Sequence, residues 1–349
     1  MARIVYGVMG DSLGHVSRAR AVAQEMPEHD YLFVGGGAVS GLERDGHRVI
    51  PAPVLGTHIG ASRVRVLATI AGAMSALPQV LPVIDRLAGL MDGYRPDLIV
   101  SDYEFFTQMA ALRLKRPCVS LDNQHMLTLC RYEPPPGHRL SRLMTLLLIR
   151  TLYSRASLYL VTSFHALPAK DPEKTRVLPP VLRQRVGRYP VSQGDHGVIY
   201  LRGGPSSGLL EALRSRRSSY VVYGFGDRLP EGNLIFRAFS DEAFLKDLAS
   251  CRYVLCNGGH STISEALYYG KPVFCTPVGL FYEQLVNAHL LFTAGYGDYW
   301  EGGPGWEGTI SRFENRLEEY TARIRDRDFW GNKAVAEALL SLMPGERPA

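Results

Sequence analysis

The residues best suited to chemistry lie where a short apolar run meets two glycines. Residues 253–256 are apolar, Asn257, Gly258 and Gly259 follow, and His260, Ser261 and Thr262 open a helix-periodic stretch that stops at Gly270. A strand running through glycines into a helix start leaves the first helical amides unpaired, with the positive end of the helix dipole behind them. Such a site binds an anion. Gly258 and Gly259 allow close backbone approach, while His260, Ser261 and Thr262 add side-chain donors where a phosphate would sit.

The elements that must hold this site read as parallel α/β structure. Residues 253–256 and 272–276 are the buried strands on either side of a helix over about 261–269. At the N-terminus, residues 4–8 form a continuous apolar run, as a strand buried on both faces requires. A loop containing Gly10 and Gly14 and ending at His15 leads into a helix with Val16, Ala19, Ala23 and Met26 on one face. That loop is not GxGxxG, so a dinucleotide fingerprint fits poorly. Further strands are predicted over 31–34, 47–50, 96–102, 117–121 and 158–162, and Pro78 and Pro82 are expected to kink or divide the helix over 64–91. A second βα series starts at 197–201, with a glycine-rich loop containing Gly203, and continues through 220–223, 234–236 and a capped helix at 241–249. The organisation predicted is two doubly wound halves facing across a cleft: an acceptor domain over 1–165, a proline-containing connection over 166–196, a nucleotide domain over 197–331, and a last helix within 332–349.

The stretch 253–288 resembles the donor-binding signature of the UDP-glycosyltransferase superfamily with the GT-B fold. Residues 14–21, opening with Gly14 and His15, look more like its bacterial and archaeal branch, related to the peptidoglycan N-acetylglucosaminyltransferase, than like the plant branch. The resemblance implies two Rossmann-like domains, with the final helix crossing back to the first. It implies that Gly259, His260, Ser261 and Thr262 hold a diphosphate, that Glu265 holds the ribose hydroxyls, and that Glu283 with Gln284 holds the donor sugar. Gly14, Gly203 and Phe239 are expected beside them, with Phe225 and Arg237 near the base. Asn257 stands where plant members place a phosphate-binding histidine, and its amide can still donate. The implied donor is a UDP-hexose or UDP-N-acetylhexosamine, used as a co-substrate without a metal or other cofactor.

Sugar transfer requires charge stabilisation on the leaving diphosphate, a base for the acceptor hydroxyl and a pocket that excludes water. The base expected is His15, in a loop at the cleft edge. Asp102, at the C-terminal end of a buried strand, either assists it or caps the following helix. Asp122, Asn123, Gln124 and His125 put four polar groups at the end of the next strand, an edge expected to face the cleft; Asp122, Asn123 and His125 are acceptor-side candidates, with His125 the substitute base. Single displacement predicts inversion. The alternatives are a nucleotide-sugar epimerase of the same fold and a non-catalytic nucleotide-sugar binding protein.

Composition sets the outer limits. The 349 residues suffice for two domains, 46% of them hydrophobic and 21% charged, a globular balance. A formal charge of +5 is a mild excess, and no nucleic-acid partner is expected. The five cysteines form no CxxC pair and read as buried thiols of a cytoplasmic protein. The chain opens directly on a strand, so no leader is expected, and no spanning helix is predicted. Residues 140–156 form an apolar helix punctuated by arginines, either a core helix with snorkelling arginines or a face that meets a membrane or partner. The apolar stretch over 64–91 is a second candidate for peripheral membrane contact.

Overall fold

The computed structural model describes residues 1–55, 66–202, 208–300, 302 and 305–343, the side chains of 66–78 excepted. The strands are β1 (Arg3–Val8), β2 (Asp30–Val34), β3 (Arg48–Ile50), β4 (Leu98–Asp102), β5 (Val119–Asp122), β6 (Leu158–Thr162), β7 (Thr175–Leu178), β8 (Gly197–Tyr200), β9 (Tyr220–Tyr223), β10 (Leu234–Arg237), β11 (Tyr253–Cys256), β12 (Val273–Cys275) and β13 (Gly297–Tyr299). The helices are α1 (Leu13–Glu25), α2 (Val66–Tyr94), α3 (Phe105–Arg113), α4 (Met126–Leu129), α5 (Arg139–Leu148), α6 (Leu209–Arg214), α7 (Asp241–Ser250), α8 (His260–Tyr268), α9 (Tyr282–Ala294), α10 (Trp306–Glu314), α11 (Leu317–Ile324) and α12 (Asn332–Leu340).

Two parallel sheets result, ordered β3-β2-β1-β4-β5-β6-β7 and β10-β9-β8-β11-β12-β13. Their central strands are apolar because both faces are covered. In β1, Ile4, Tyr6 and Val8 pack one way against Val16, Ala19 and Ala23 of α1, while Val5 faces the opposite layer with Ile84 and Phe106. In the second sheet Val198 and Val254 face one layer, and Ile199 and Leu255 the other. The fold is α/β, two Rossmann-like sheets in series.

The chain then returns to its first half. Val335, Ala336, Ala338 and Leu339 of α12 join the core beneath α1, and complete burial of Val335 and Leu339 contributes about 1.5–3 kcal/mol each. The Asn332 side chain, just before them, exchanges hydrogen bonds with the backbone of Leu182 at 2.8 and 2.9 Å.

Three sequence expectations change. The connection expected from residue 166 contains β7, which pairs in parallel with β6 and makes the first sheet seven-stranded. Helix α2 continues through both Pro78 and Pro82, so of the kink or division expected there the division does not occur; a proline removes one hydrogen bond per site, a loss that a 29-residue helix packed along α3 tolerates. The arginine-punctuated helix ends early, at Leu148, in a wide turn over Ile149–Tyr153, and none of the α5 residues is buried. It is therefore no core helix. Of the other candidate membrane stretch, the residues up to 78 lie outside the described side chains.

Candidate active site

In each sheet the strand order reverses beside the first strand, between β1 and β4 and between β8 and β11. Open α/β sheets bind ligands at the carboxyl ends of the strands at that reversal. His15, in the first turn of α1, and Asp102, the last residue of β4, sit at the first reversal, and residues 257–262 sit at the second. The two meet: a side chain on Gly14 would come within 3.1 Å of the Ser261 hydroxyl, so glycine there lets the halves approach.

His15 and Asp102 form a buried pair, with Nδ1 lying 2.6 Å from Oδ1 and 3.0 Å from Arg18 Nη2. A carboxylate only accepts, so the shorter contact favours the proton on Nδ1 and the lone pair on Nε2. Asp102 is fully buried and also accepts two bonds from Arg18, at 2.7 and 2.5 Å. Burial works against the charge on Arg18, yet Asp102 raises its pKa above the ordinary value. Asp102 is not the cap of α3. Glu104 is, accepting from the amides of Phe106 at 2.9 Å and Thr107 at 2.6 Å. The intervening Tyr103 has φ of +52°, unusual for a residue with a side chain, and its ring stacks on His15 at 6.2 Å.

Across the cleft, α8 begins at His260 with Gly259 as its cap residue and no side chain capping its first amides. Gly258 needs to be glycine: its φ is +88°, and a side chain would come within 2.7 Å of the Gln284 carbonyl. Ser261 and Thr262 are half-buried at the helix start. His260 is buried, its Nε2 has no hydrogen-bond partner, and its pKa is pushed down to about 3 by burial and by the nearby charges of Arg18 and His15. It stays neutral at ordinary pH. Asn257 is a brace, its oxygen accepting from the Arg202 amide at 2.7 Å and its nitrogen donating to the Thr276 carbonyl at 3.1 Å. Gly203 lies outside the described residues. Phe239 is partly exposed and stacks on Tyr200 at the end of β8. Phe225 packs apart from it against Phe236, and Arg237 is paired with Asp247 at 2.6 Å.

The carboxylates expected to hold the donor both have protein partners. Glu265 receives a two-pronged contact from Arg183, at 2.6 and 2.5 Å, and Arg183 also reaches Asp241 at 2.7 Å. Burial opposes the Arg183 charge, but Glu265 and Asp241 raise its pKa. Glu283 accepts from Asn123 at 3.3 Å and Gln124 at 3.1 Å, which joins the two halves. Burial raises its pKa, against the opposing influence of His15 and the two amides. Gln124 also lies 3.5 Å from His15 Nε2, so His15 and Glu283 share one amide. The Gln284 oxygen accepts from the Val278 amide at 3.0 Å.

Of the acceptor-side candidates, Asn123 reaches the cleft, as does its neighbour Gln124, whereas Asp122 and His125 face the core. His125 Nδ1 bonds Asp122 at 2.7 Å, and its Nε2 meets the Ser154 hydroxyl at 3.4 Å. The substitute base is thus sealed away. Three residues that sequence reasoning passed over are Arg18, Tyr103 and Arg183. Arg18 had a signal, one helical turn after His15 on the same face.

A family model for glycosyl transferase family 1 matches residues 2–316. An uncharacterized glycosyltransferase of Methanosarcina mazei is 23% identical over 331 residues, covering 84% of this chain and 85% of its own. Among solved structures, the calicheamicin glycosyltransferase CalG4 superposes with a TM-score of 0.68 at 18% identity over all of both chains. UGT2 of Phytolacca americana, complexed with UDP-2-fluoro-glucose and pterostilbene, gives 0.66 at 14% identity, covering 93% of this chain and 94% of its own. With a GT-B architecture and a family match over nearly its whole length, the chain belongs to glycosyl transferase family 1 within the GT-B UDP-glycosyltransferase superfamily.

Proposed function

We propose that the protein transfers a hexosyl or N-acetylhexosaminyl group from a UDP-sugar to an acceptor hydroxyl, with inversion and without a metal. The observation that carries this reading is His15, whose Nδ1 proton is held by Asp102 while its Nε2 lone pair faces the amide shared with Glu283. Nε2 takes the acceptor's proton as its oxygen attacks the anomeric carbon, and the sugar–phosphate bond breaks on the opposite face. The charge released onto the diphosphate falls at the uncapped start of α8, where the amides of His260, Ser261 and Thr262 and the dipole stabilise it without proton transfer. Glu265 accepts from the ribose hydroxyls, and Glu283 with Gln284 orients the sugar. The UDP-sugar analogue named with the Phytolacca enzyme supports a uridine donor. Five buried free thiols suit a cytoplasmic setting.

The test is mass spectrometry of products formed from a panel of UDP-sugars with cell extract, followed by NMR of the product's anomeric configuration. Retention at the anomeric carbon would refute the single displacement. An isomerised sugar from donor alone would identify an epimerase instead.

A further inference from the structure

Helix α5 leans on α9, with Leu146 packed against the core and Ser141 and Thr145 half-buried beside it. On its other side Leu140, Leu143, Met144, Leu147 and Leu148 are all exposed, from 44% to 70%. Their spacing of three and four makes one continuous apolar stripe. A stripe of five large apolar side chains facing water needs a partner. Residues 139–155 include Arg139, Arg142, Arg150 and Arg155, all exposed, and no acidic residue. Lys170 lies nearby, its pKa lowered by burial and by Arg150, Arg142 and Arg131. Arg139 thus lies at the edge of the stripe and Arg150 and Arg155 follow its end, while Arg142 turns to the other side of the helix, toward Tyr132.

The face also adjoins the cleft. His138 and Ser141, at the start of α5, share a recess with Phe281 and Leu280 of the second half, and Leu280 is 56% exposed. Two residues on, α9 begins with Tyr282 and Glu283, the latter bonded to Gln124 beside His15.

Charge decides the occupant. A symmetric contact between two copies would bring the arginines of one stripe against those of the other. An anionic surface instead pairs with them while their aliphatic stems follow the apolar stripe inward. Among the described residues no helix is long and apolar enough to cross a membrane, so this is contact along a surface. We propose that the outward face of α5, extended by Leu280, docks on an anionic lipid surface and holds the inter-domain cleft beside it. This surface is the same whichever donor the cleft takes.

The test is flotation of the full chain with phosphatidylglycerol-containing vesicles and with phosphatidylcholine vesicles. The expected result is binding to the anionic vesicles, weakened by salt, with partition falling about fivefold for each of Arg139→Gln, Arg150→Gln and Arg155→Gln. Combined Leu143→Asp and Leu147→Asp should abolish flotation, with a thermal melt unchanged because both sites are exposed. If that pair unfolds the protein, the arginine series decides alone. Absence of flotation on anionic vesicles overturns the proposal, as does equal binding to neutral vesicles. A dimer in solution that Leu143→Asp dissociates, without flotation of the parent, assigns the face to a second copy and also overturns it.

Discussion

Two aspartate–histidine pairs sit side by side at the ends of neighbouring strands, Asp102 with His15 and Asp122 with His125, and their inner geometry is nearly the same. The Nδ1–carboxylate distances are 2.6 and 2.7 Å, and Tyr103 touches both rings, stacked on His15 and edge-on to His125. What differs is the other nitrogen. His15 Nε2 opens toward Gln124 and Glu283 of the facing half, whereas His125 Nε2 meets Ser154 and its ring packs on Tyr159 at 4.8 Å. The carboxylates differ as well: Asp102 is neutralised by a buried arginine, while Asp122 is held by Ser120 and the His125 amide. A histidine oriented by aspartate is therefore not in itself a catalytic sign. The face toward which the free nitrogen opens separates a base from a structural pair.

The largest expected effect tests that distinction directly. His15→Ala should lower turnover by the roughly 10²–10⁴-fold typical of lost general-base catalysis, with UDP affinity near the parent's by calorimetry. Asp102→Asn should lower turnover about as far, because an amide that keeps its oxygen on Arg18 turns its N–H toward Nδ1 and moves the imidazole proton to Nε2. The double variant should do little more than His15→Ala alone, because the pair acts as a unit. His125→Ala should instead lose about 3 kcal/mol of stability in denaturant titration, with turnover per folded molecule within about threefold of the parent, a change too small for a lost base. Normal turnover in folded His15→Ala together with collapse in folded His125→Ala would reverse the assignment.

The sequence made one side of this comparison legible and obscured the other. Both aspartates end apolar runs, so their position at the carboxyl edge of a parallel sheet follows from strand burial. Nothing in the local pattern tells which histidine faces the cleft, because that depends on how the following turns pack. The proposed diphosphate loop is readable from Gly258 and Gly259 for the opposite reason: the role proposed for it resides in the backbone, and glycine declares backbone requirements. Strand β7 was hidden because its burial is patchy and prolines surround it. The direction of α5 was undetermined, since leucines alternating with arginines suit either an inward or an outward face. Arg183 had no signal, because its partners Glu265 and Asp241 lie 82 and 58 positions away.

Arg183 and Glu265 extend the comparison to the second half, where a carboxylate is again held by a protein cation. Two of its lone pairs go to the guanidinium, and the remaining ones can accept from ribose. Glu265→Ala should weaken UDP binding by about 1–3 kcal/mol. The same substitution should change binding of 2′-deoxy-UDP less, because one of the lost hydrogen bonds is already absent. Arg183→Met should give a similar loss for UDP by releasing the carboxylate from its orientation. Equal calorimetric affinity of the parent and Glu265→Ala for UDP would remove the ribose assignment.

The smallest effect concerns a second histidine at the cleft, His260, on the opposite half from His15. Its pKa in the fold is about 3, lowered by burial and by Arg18 and His15, against about 6.5 for an unfolded histidine. Between these values the unfolded chain binds a proton that the folded chain excludes. Stability therefore rises with pH across this window and is lost as pH falls from about 6.5 toward 3. From pH 6.5 to 5.5 this histidine alone should cost about 1 kcal/mol of stability, read as a steeper fall in denaturation midpoint than His260→Gln shows over the same step. Glutamine keeps a hydrogen-bonding side chain at the helix start and does not titrate. If the parent and His260→Gln lose stability equally over that step, His260 is not held neutral, and two imidazoles rather than one would have to be considered in the pH dependence of transfer.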